Sequence, residues 1–170
     1  MIVRPEAPDD FGAIHSLVEA AFGRSNEAEL VRRLRASDAY VSELALVAEV
    51  DGVVAGHVMI SYVTLLNDDE QFRVLSLAPL AVKPERQGRG IGSTLIEAGL
   101  EIADKRGDPL VVLLGHPAYY PRFGFEVASG HGIEPQDVGV AGAAFMVRRL
   151  SAYDERYRGR IQYPPAFDIA

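Results

Sequence analysis

The stretch LAVKPERQGRGIG, residues 80–92, is the most informative part of this 170-residue chain. An apolar run that is typical of a strand leads into a turn, and three glycines at every second position lead into a helical pattern. Glycine lets the backbone approach a ligand closely and adopt positive φ. The first N–H groups of a helix lack internal partners, and the helix dipole adds partial positive charge there. The stretch therefore predicts an anion cradle suited to a phosphate or diphosphate.

Two common nucleotide-binding motifs fit this stretch poorly. A Walker loop needs G-x-x-x-x-G-K-[ST], and the chain contains no Gly-Lys pair. A Rossmann fingerprint needs G-x-G-x-x-G, but the third glycine here, Gly92, comes one residue early. Lys83, Arg86 and Arg89 add mobile positive charge beside the glycines. A phosphorylated ligand is expected, and both nucleotide interpretations are disfavoured.

A second motif lies downstream of the glycine-rich stretch. Residues 87–92 read QGRGIG after the lead-in VKP at 82–84, and residues 120–125 read YPRFGF. Together they resemble the acyl-CoA loop, [Q/R]-x-x-G-x-[G/A], and the Y-x-x-x-G-F motif of the GCN5-related N-acetyltransferases, the GNAT superfamily. The two motifs stand in the order typical of that family, with one helix and one strand between them. The resemblance covers most of the chain and is strongest over residues 77–127.

Hydrophobic spacing along the chain predicts a mixed α/β protein. Helices are predicted at 7–22, 27–35 and 90–105, a short helical turn at 118–123, and strands at 1–4, 45–50, 55–65, 73–82, 110–114, 125–127 and 143–150. Pro79 lies inside a predicted strand, which indicates a bulge or a locally unpaired strand. A glycine-rich loop is predicted at 129–142, and an irregular tail with one edge strand at 151–170. The resemblance implies a single GNAT domain over residues 1–170, with a mostly antiparallel sheet, splayed central strands and helices on both faces.

Composition narrows the class of protein. The net charge is −7, from 17 Lys and Arg against 24 Asp and Glu, whereas nucleic-acid-binding domains are usually basic. The chain has no apolar run of the roughly 18 to 20 residues that a membrane span requires. It also has no cysteine and no pair of histidines or acids at a metal-like spacing, so no metal is expected. These features favour a cytoplasmic protein without nucleic-acid or membrane partners.

The resemblance implies acetyl-CoA as the cosubstrate and assigns residues to it. The backbone N–H of Leu80 is expected to polarise the thioester carbonyl, and Val82 to meet the pantetheine. The loop that follows is expected to hold the diphosphate. The complete set of expected cofactor contacts is Leu80, Ala81, Val82, Gln87, Gly88, Arg89, Gly90, Ile91, Gly92 and Ser93.

The resemblance also makes Tyr120 the expected general acid for the leaving thiolate, with Tyr119 as the alternative. A phenol has an unperturbed pKa of about 10 and can protonate a nearby thiolate. The general base stays open, because Ser76 stands where many relatives carry a glutamate.

The candidates for the base are Glu27, His57, His116 or a chain of waters. Glu27 also fits a charge that complements the dipole of its helix, and His116 also fits a hydrogen-bonding residue of a turn.

The expected reaction is direct attack by an amine on acetyl-CoA in a ternary complex. The acceptor is a small molecule or a protein amine, and the sequence does not name it. A catalytically weak acyl-CoA sensor is the alternative, and O-acylation or a longer acyl donor also stays open. A monomer and a homodimer are both compatible with the sequence.

Overall fold

The computed structural model describes residues 1–140 and 142–169. Ala141, inside the predicted loop at 129–142, and Ala170, the last residue of the predicted tail, lie outside the described residues.

The helices and strands follow the predicted order. They are β1 (Ile2–Pro5), α1 (Phe11–Phe22), α2 (Asn26–Arg35), β2 (Ala45–Val50), β3 (Val53–Leu66), β4 (Gln71–Val82), α3 (Ile91–Arg106), β5 (Leu110–Leu114), β6 (Glu126–Val127), β7 (Ile133–Glu134), β8 (Phe145–Arg149) and β9 (Gly159–Gln162). A 3-10 turn at Pro8–Asp10 precedes α1, and another at Tyr120–Phe123 occupies the predicted short helical turn.

The strands form one mixed sheet in the order β1-β2-β3-β4-β5-β8-β6, with β9 added to β3 and β7 added to β9. The β4–β5 and β7–β9 pairs are parallel, and the other pairs are antiparallel. The predicted fold class, a mixed and mostly antiparallel sheet with helices, is confirmed.

The two central strands diverge halfway along their length. The pairs between β4 and β5 are Leu75 with Val111 and Ser76 with Val112, and both strands continue beyond them. The register between β3 and β4 shifts between Val58 and Ile60, opposite Pro79, which confirms the predicted bulge. Proline cannot donate a ladder hydrogen bond, so it fits a bulge better than a regular strand.

Helices cover both faces of the sheet, as expected. The first face packs against α3 through a cluster that includes Leu95, Leu100 and Ile60. The other face packs against α1 and α2 through a second cluster, which includes Ile14, Leu34, Val47, Met59 and Ala81. Side chains of successive strand residues alternate between these two layers. The gap between β4 and β5 therefore connects the α3 side of the sheet with the α1/α2 side.

The predicted loop at 129–142 is partly wrong. It contains a 3-10 turn that begins at Ala128 and the short strand β7, which pairs with β9 through Ile133 and Gly159. Ile133 is fully buried in a third cluster with Leu65, Phe145 and Ile161. This partner strand lies 26 residues further along the chain, so local sequence gives no sign of the pairing. The predicted edge strand of the tail is β9, which pairs with β3 over Thr64 to Leu66.

Candidate functional site

The glycine-rich turn forms the start of α3. Gly88 and Gly90 have φ values of +77° and +84°, a left-handed conformation that other residues adopt only with strain. The first backbone bond of the helix runs from the N–H of Thr94 to the carbonyl of Gly90, at 3.0 Å. The N–H groups of the first turn, before Thr94, lack intrahelical partners, because a helix supplies none there. They give the turn the anion-binding character that the sequence predicts.

A cleft of about 450 Å³ opens beside this turn, between the end of β4, the start of α3 and the segment after β5. The residues that line it are Leu80, Val82, Arg86, Gln87, Gly88, Gly90, Ile91, Gly92, Ser93, Tyr119 and Arg122. Most of the expected cofactor contacts thus share one cleft, and the side chain of Gln87 fixes the turn by donating to the carbonyl of Val82 at 3.1 Å.

Two expected contacts are placed differently. The side chain of Ala81 is buried in the α1/α2 layer, and Arg89 is exposed and does not line the cleft. The positive charge of the cleft comes from Arg86 and Arg122. Arg122 was missed because it lies 30 residues or more from the loop that it faces.

The two adjacent tyrosines face different surroundings. Tyr119 lines the cleft, and its hydroxyl lies 3.0 Å from the hydroxyl of Ser93 on α3. Tyr120 packs its ring edge-on against Phe125, at 5.8 Å between centroids, and against Gly115. Burial raises the pKa of the Tyr120 phenol. The Tyr120 hydroxyl thus stays a protonated donor at neutral pH.

The other side of the β4–β5 gap carries small polar side chains under α1 and α2. Ser76, at the position of the family glutamate, is buried and lies directly across from Ser61 of β3. The hydroxyl of Ser61 is buried and has no hydrogen-bond partner within residues 1–140 and 142–169. These hydroxyl groups are too weakly basic to replace a carboxylate.

A buried network of charged and polar groups lies nearby on the same face. Nε2 of His57 lies 2.9 Å from a carboxylate oxygen of Glu6. Arg35 and Tyr40 also donate to this carboxylate, at 2.7 Å and 2.8 Å. Burial acts to raise the pKa of Glu6, but the hydrogen bonds from His57 and Arg35 outweigh it and lower the pKa to about 2. Burial lowers the pKa of His57 despite the neighbouring carboxylate, so the imidazole is neutral at pH 7.

The remaining candidate bases lie apart from this network. Glu27 accepts two hydrogen bonds from Arg24, at 2.9 Å and 2.6 Å, and these bonds lower its pKa. It lines a small hollow with Leu30 and Phe167, away from the cleft beside α3. His116 is exposed in the turn after β5, and its carbonyl accepts the N–H of Tyr119 at 3.0 Å. The structure thus places Glu27 and His116 in separate surroundings.

In residues 1–140 and 142–169, no group of three or more His, Cys, Asp or Glu side chains is arranged to hold a metal ion. Of the helices in the same residues, none has the length and apolar character needed to cross a bilayer.

Comparison with known proteins identifies the family. Residues 3–128 match the model of the acetyltransferase (GNAT) domain. The chain belongs to the GNAT acetyltransferases. Its relatives include YhbS of Escherichia coli, an uncharacterized N-acetyltransferase that is 39% identical over 152 residues, 89% of this chain and 88% of YhbS. Another E. coli relative with the same description, YjhQ, is 35% identical over 156 residues, 90% of this chain and 86% of YjhQ.

Solved structures agree with this GNAT assignment. The crystal structure of E. coli YhbS in complex with CoA superposes with a TM-score of 0.88 at 35% identity, covering 98% of this chain and 91% of that one. A GNAT acetyltransferase from Brucella melitensis in complex with acetyl-CoA gives a TM-score of 0.80 at 34% identity, covering 98% and 97%. Membership in this family makes the chain an acyltransferase and confirms the resemblance that the QGRGIG and YPRFGF motifs indicate.

Proposed function

We propose that this GNAT chain transfers the acetyl group of acetyl-CoA to an amine by direct attack in a ternary complex. One observation carries the proposal: the glycine-rich turn, the end of β4 and Tyr119 enclose a single cleft at the start of α3. Two relatives that superpose on almost the whole chain bind CoA and acetyl-CoA, which supports acetyl-CoA as the cosubstrate.

The cleft offers a distinct group to each part of acetyl-CoA. The free N–H groups at the start of α3 would hold the diphosphate, with Arg86 and Arg122 supplying positive charge. Leu80 and Val82 line the same cleft and would meet the pantetheine. The thioester would then lie where β4 and β5 diverge, with the backbone N–H of Leu80 directed at its carbonyl. One such donor typically contributes about 3 kcal/mol to the transition state.

In the transfer step, the amine nitrogen attacks the thioester carbon, and the carbon–sulfur bond breaks. Tyr120 would donate its proton to the leaving thiolate, since burial keeps the phenol protonated. The nitrogen loses a proton to a base that Glu27, His57, His116 or a chain of waters could provide. Glu27 would act from the hollow at the start of α2, and its pairing with Arg24 makes it a weak base.

The acceptor would approach from the α1/α2 side, because the cofactor cleft occupies the α3 side of the sheet. An acidic protein suits a cationic amine, either a small molecule or a protein amine. We propose a cytoplasmic protein that acts as a monomer or a homodimer.

Calorimetric titration with acetyl-CoA tests the proposal, using wild type, Gly90→Glu and Gly107→Glu. Gly90 and Gly107 both have left-handed φ, +84° and +88°, and flank the two ends of α3. Gly107→Glu is therefore the matched control: it places the same side chain on a glycine of the same backbone conformation at the far end of α3. That end lies about 24 Å from the glycine-rich turn, since a 16-residue helix rises 1.5 Å per residue. We expect Gly90→Glu alone to abolish micromolar binding.

An amine panel monitored by thiol release then tests transfer. Release that depends on both acetyl-CoA and an amine would support the enzyme. Binding without release for any amine in the panel would favour an acyl-CoA sensor, and a folded wild-type protein that binds no acetyl-CoA would overturn the proposal.

A further inference from the structure

Tyr119 joins the two walls of the cofactor cleft. One wall is the first turn of α3, and the other is the segment between β5 and the 3-10 turn at Tyr120–Phe123. The hydroxyl groups of Tyr119 and Ser93 lie 3.0 Å apart across the cleft. A side chain that reaches one wall from the other is placed to touch any ligand between them.

The Tyr119 hydroxyl lies directly over the start of α3. Gly92 and Ser93 belong to its first turn, where N–H groups have no intrahelical partners. A Cβ atom on Gly92 would lie 3.7 Å from the Tyr119 hydroxyl, and equally far from side-chain atoms of Leu80 and Val82. The hydroxyl, the first turn of α3 and the residues proposed to meet the pantetheine therefore lie around one point of the cleft.

Arg122 holds the tyrosine in this position. Its Nε donates to the carbonyl of Tyr119 at 2.9 Å, and its guanidinium lies 4.5 Å from the centre of the Tyr119 ring. Phe123 packs against the same ring, with 5.3 Å between centroids. Because Arg122 also lines the cleft, a cation and a phenol donor face the same space. Two such donors converging at a helix start suit a negatively charged group.

We propose that Tyr119 is a cofactor-binding residue whose hydroxyl donates a hydrogen bond to the diphosphate of acetyl-CoA. This inference rests on the proposed function and adds a contact that the glycine-rich motif does not include. The hydroxyl groups of Tyr119 and Ser93 lie within hydrogen-bond distance of each other. When acetyl-CoA binds, both hydroxyl groups turn from each other to the phosphate oxygens, and Arg122 adds its charge from the same wall. Tyr120, packed against Phe125, keeps the separate role of proton donor to the thiolate.

The proposal separates the two tyrosines by measurement. Tyr119→Phe and Tyr120→Phe each remove one hydroxyl and keep the ring contacts, so both proteins should fold. We expect Tyr119→Phe to weaken acetyl-CoA binding about tenfold, the usual range for a hydrogen bond to a charged group. Tyr120→Phe should leave the dissociation constant within about twofold of wild type. A Tyr119→Phe variant with wild-type affinity would overturn the proposal.

Two further measurements locate the contact on the ligand. ADP carries the diphosphate without the pantetheine, so Tyr119→Phe should weaken ADP binding by the same factor as acetyl-CoA binding. A loss seen with acetyl-CoA and absent with ADP would contradict a contact to the diphosphate. In a double-mutant cycle, the losses of acetyl-CoA affinity caused by Ser93→Ala and Tyr119→Phe should not add, because both hydroxyl groups bind the same diphosphate. Strictly additive losses would also count against the proposal.

The result stays distinct from a failure of the proposed function. If wild type binds neither acetyl-CoA nor ADP, the proposed function and this contact fall together. If wild type binds acetyl-CoA and Tyr119→Phe lowers kcat with unchanged affinity, Tyr119 is the proton donor. The contact proposed here is then wrong, but the proposed acetyltransferase function still holds.

Discussion

Nε2 of His57 lies 2.9 Å from the carboxylate of Glu6, and both side chains are fully shielded from solvent. Glu6 follows β1, His57 lies in β3, and the same carboxylate holds Arg35 at the end of α2. One buried carboxylate thus connects the first strand, a central strand and the helix pair. His57 lies directly across from Ala81, one residue from Leu80, so the network supports the strand that carries the proposed oxyanion donor.

Replacing Glu6 with glutamine should destabilise the protein. Glutamine keeps the size of the side chain, but the guanidinium of Arg35, whose side chain is only 14% exposed, loses its counter-charge. Breaking a buried pair in this way typically costs about 3 kcal/mol or more. Urea unfolding monitored by circular dichroism measures the loss. As a control, Glu101→Gln removes an exposed pair with Lys105 and should leave the midpoint unchanged. Equal midpoints for Glu6→Gln and wild type would contradict a structural role for the network.

The same network should make stability depend on pH. Burial lowers the pKa of His57 below its ordinary 6.5, and the pKa of Glu6 falls from 4.5 to about 2. In both cases the unfolded chain binds more protons, so stability rises with pH. The contribution of His57 is complete above about pH 6.5 and is lost below it, and that of Glu6 is lost from about pH 4.5 towards pH 2.

Urea unfolding of wild type and Glu6→Gln at pH values from 7 to 3 tests this dependence. The difference in unfolding free energy between the two proteins should narrow from about pH 4.5 down to pH 3, as the wild-type carboxylate begins to lose its contribution. Parallel curves over that range would show that Glu6 does not titrate with a lowered pKa.

Sequence patterns predicted the long elements well because their signals are local. The apolar spacing of α3 and the glycines at Gly88 and Gly90 lie within one short stretch, and so does the turn they form. The Glu6–His57 pair joins residues 51 apart, and the β7–β9 pairing depends on a distant edge strand. Tyr119 and Tyr120 are neighbours whose ring planes stand 81° apart. The sequence could name both tyrosines, but only the packing shows that Tyr119 faces Ser93.

Gly56 lets β3 approach the start of α3. A Cβ atom there would lie 2.7 Å from Cγ2 of Ile91 and 3.0 Å from a methyl of Leu95. Gly56→Ala should therefore cost about 1 to 3 kcal/mol of stability through overpacking. It should also weaken acetyl-CoA binding, because Ile91 is the first residue of α3.

Gly12→Ala is the matched control: a Cβ on this α1 glycine meets nothing within 4 Å, so stability should stay equal or rise. In thermal unfolding, the midpoint temperature of Gly56→Ala should fall, and that of Gly12→Ala should stay equal to wild type or rise. Identical changes in the two midpoints would contradict close packing at Gly56.

Tyr120→Phe should lower kcat about 100-fold at pH 7, since general acid catalysis contributes on the order of 10² or more. Burial raises the pKa of this phenol, so wild type keeps its proton donor across the neutral range. A thiolate leaves without help once the pH exceeds the thiol pKa, which is about 8.5 for an ordinary thiol. The loss of kcat in the variant should therefore shrink between pH 7 and pH 9.5, while a loss of kcat caused by disturbed packing would stay constant.

Thiol release with a saturating amine acceptor measures kcat at each pH, and Tyr153→Phe, in the cluster around β7 to β9, serves as the control. Full kcat in Tyr120→Phe at pH 7 would remove Tyr120 from the proton transfer.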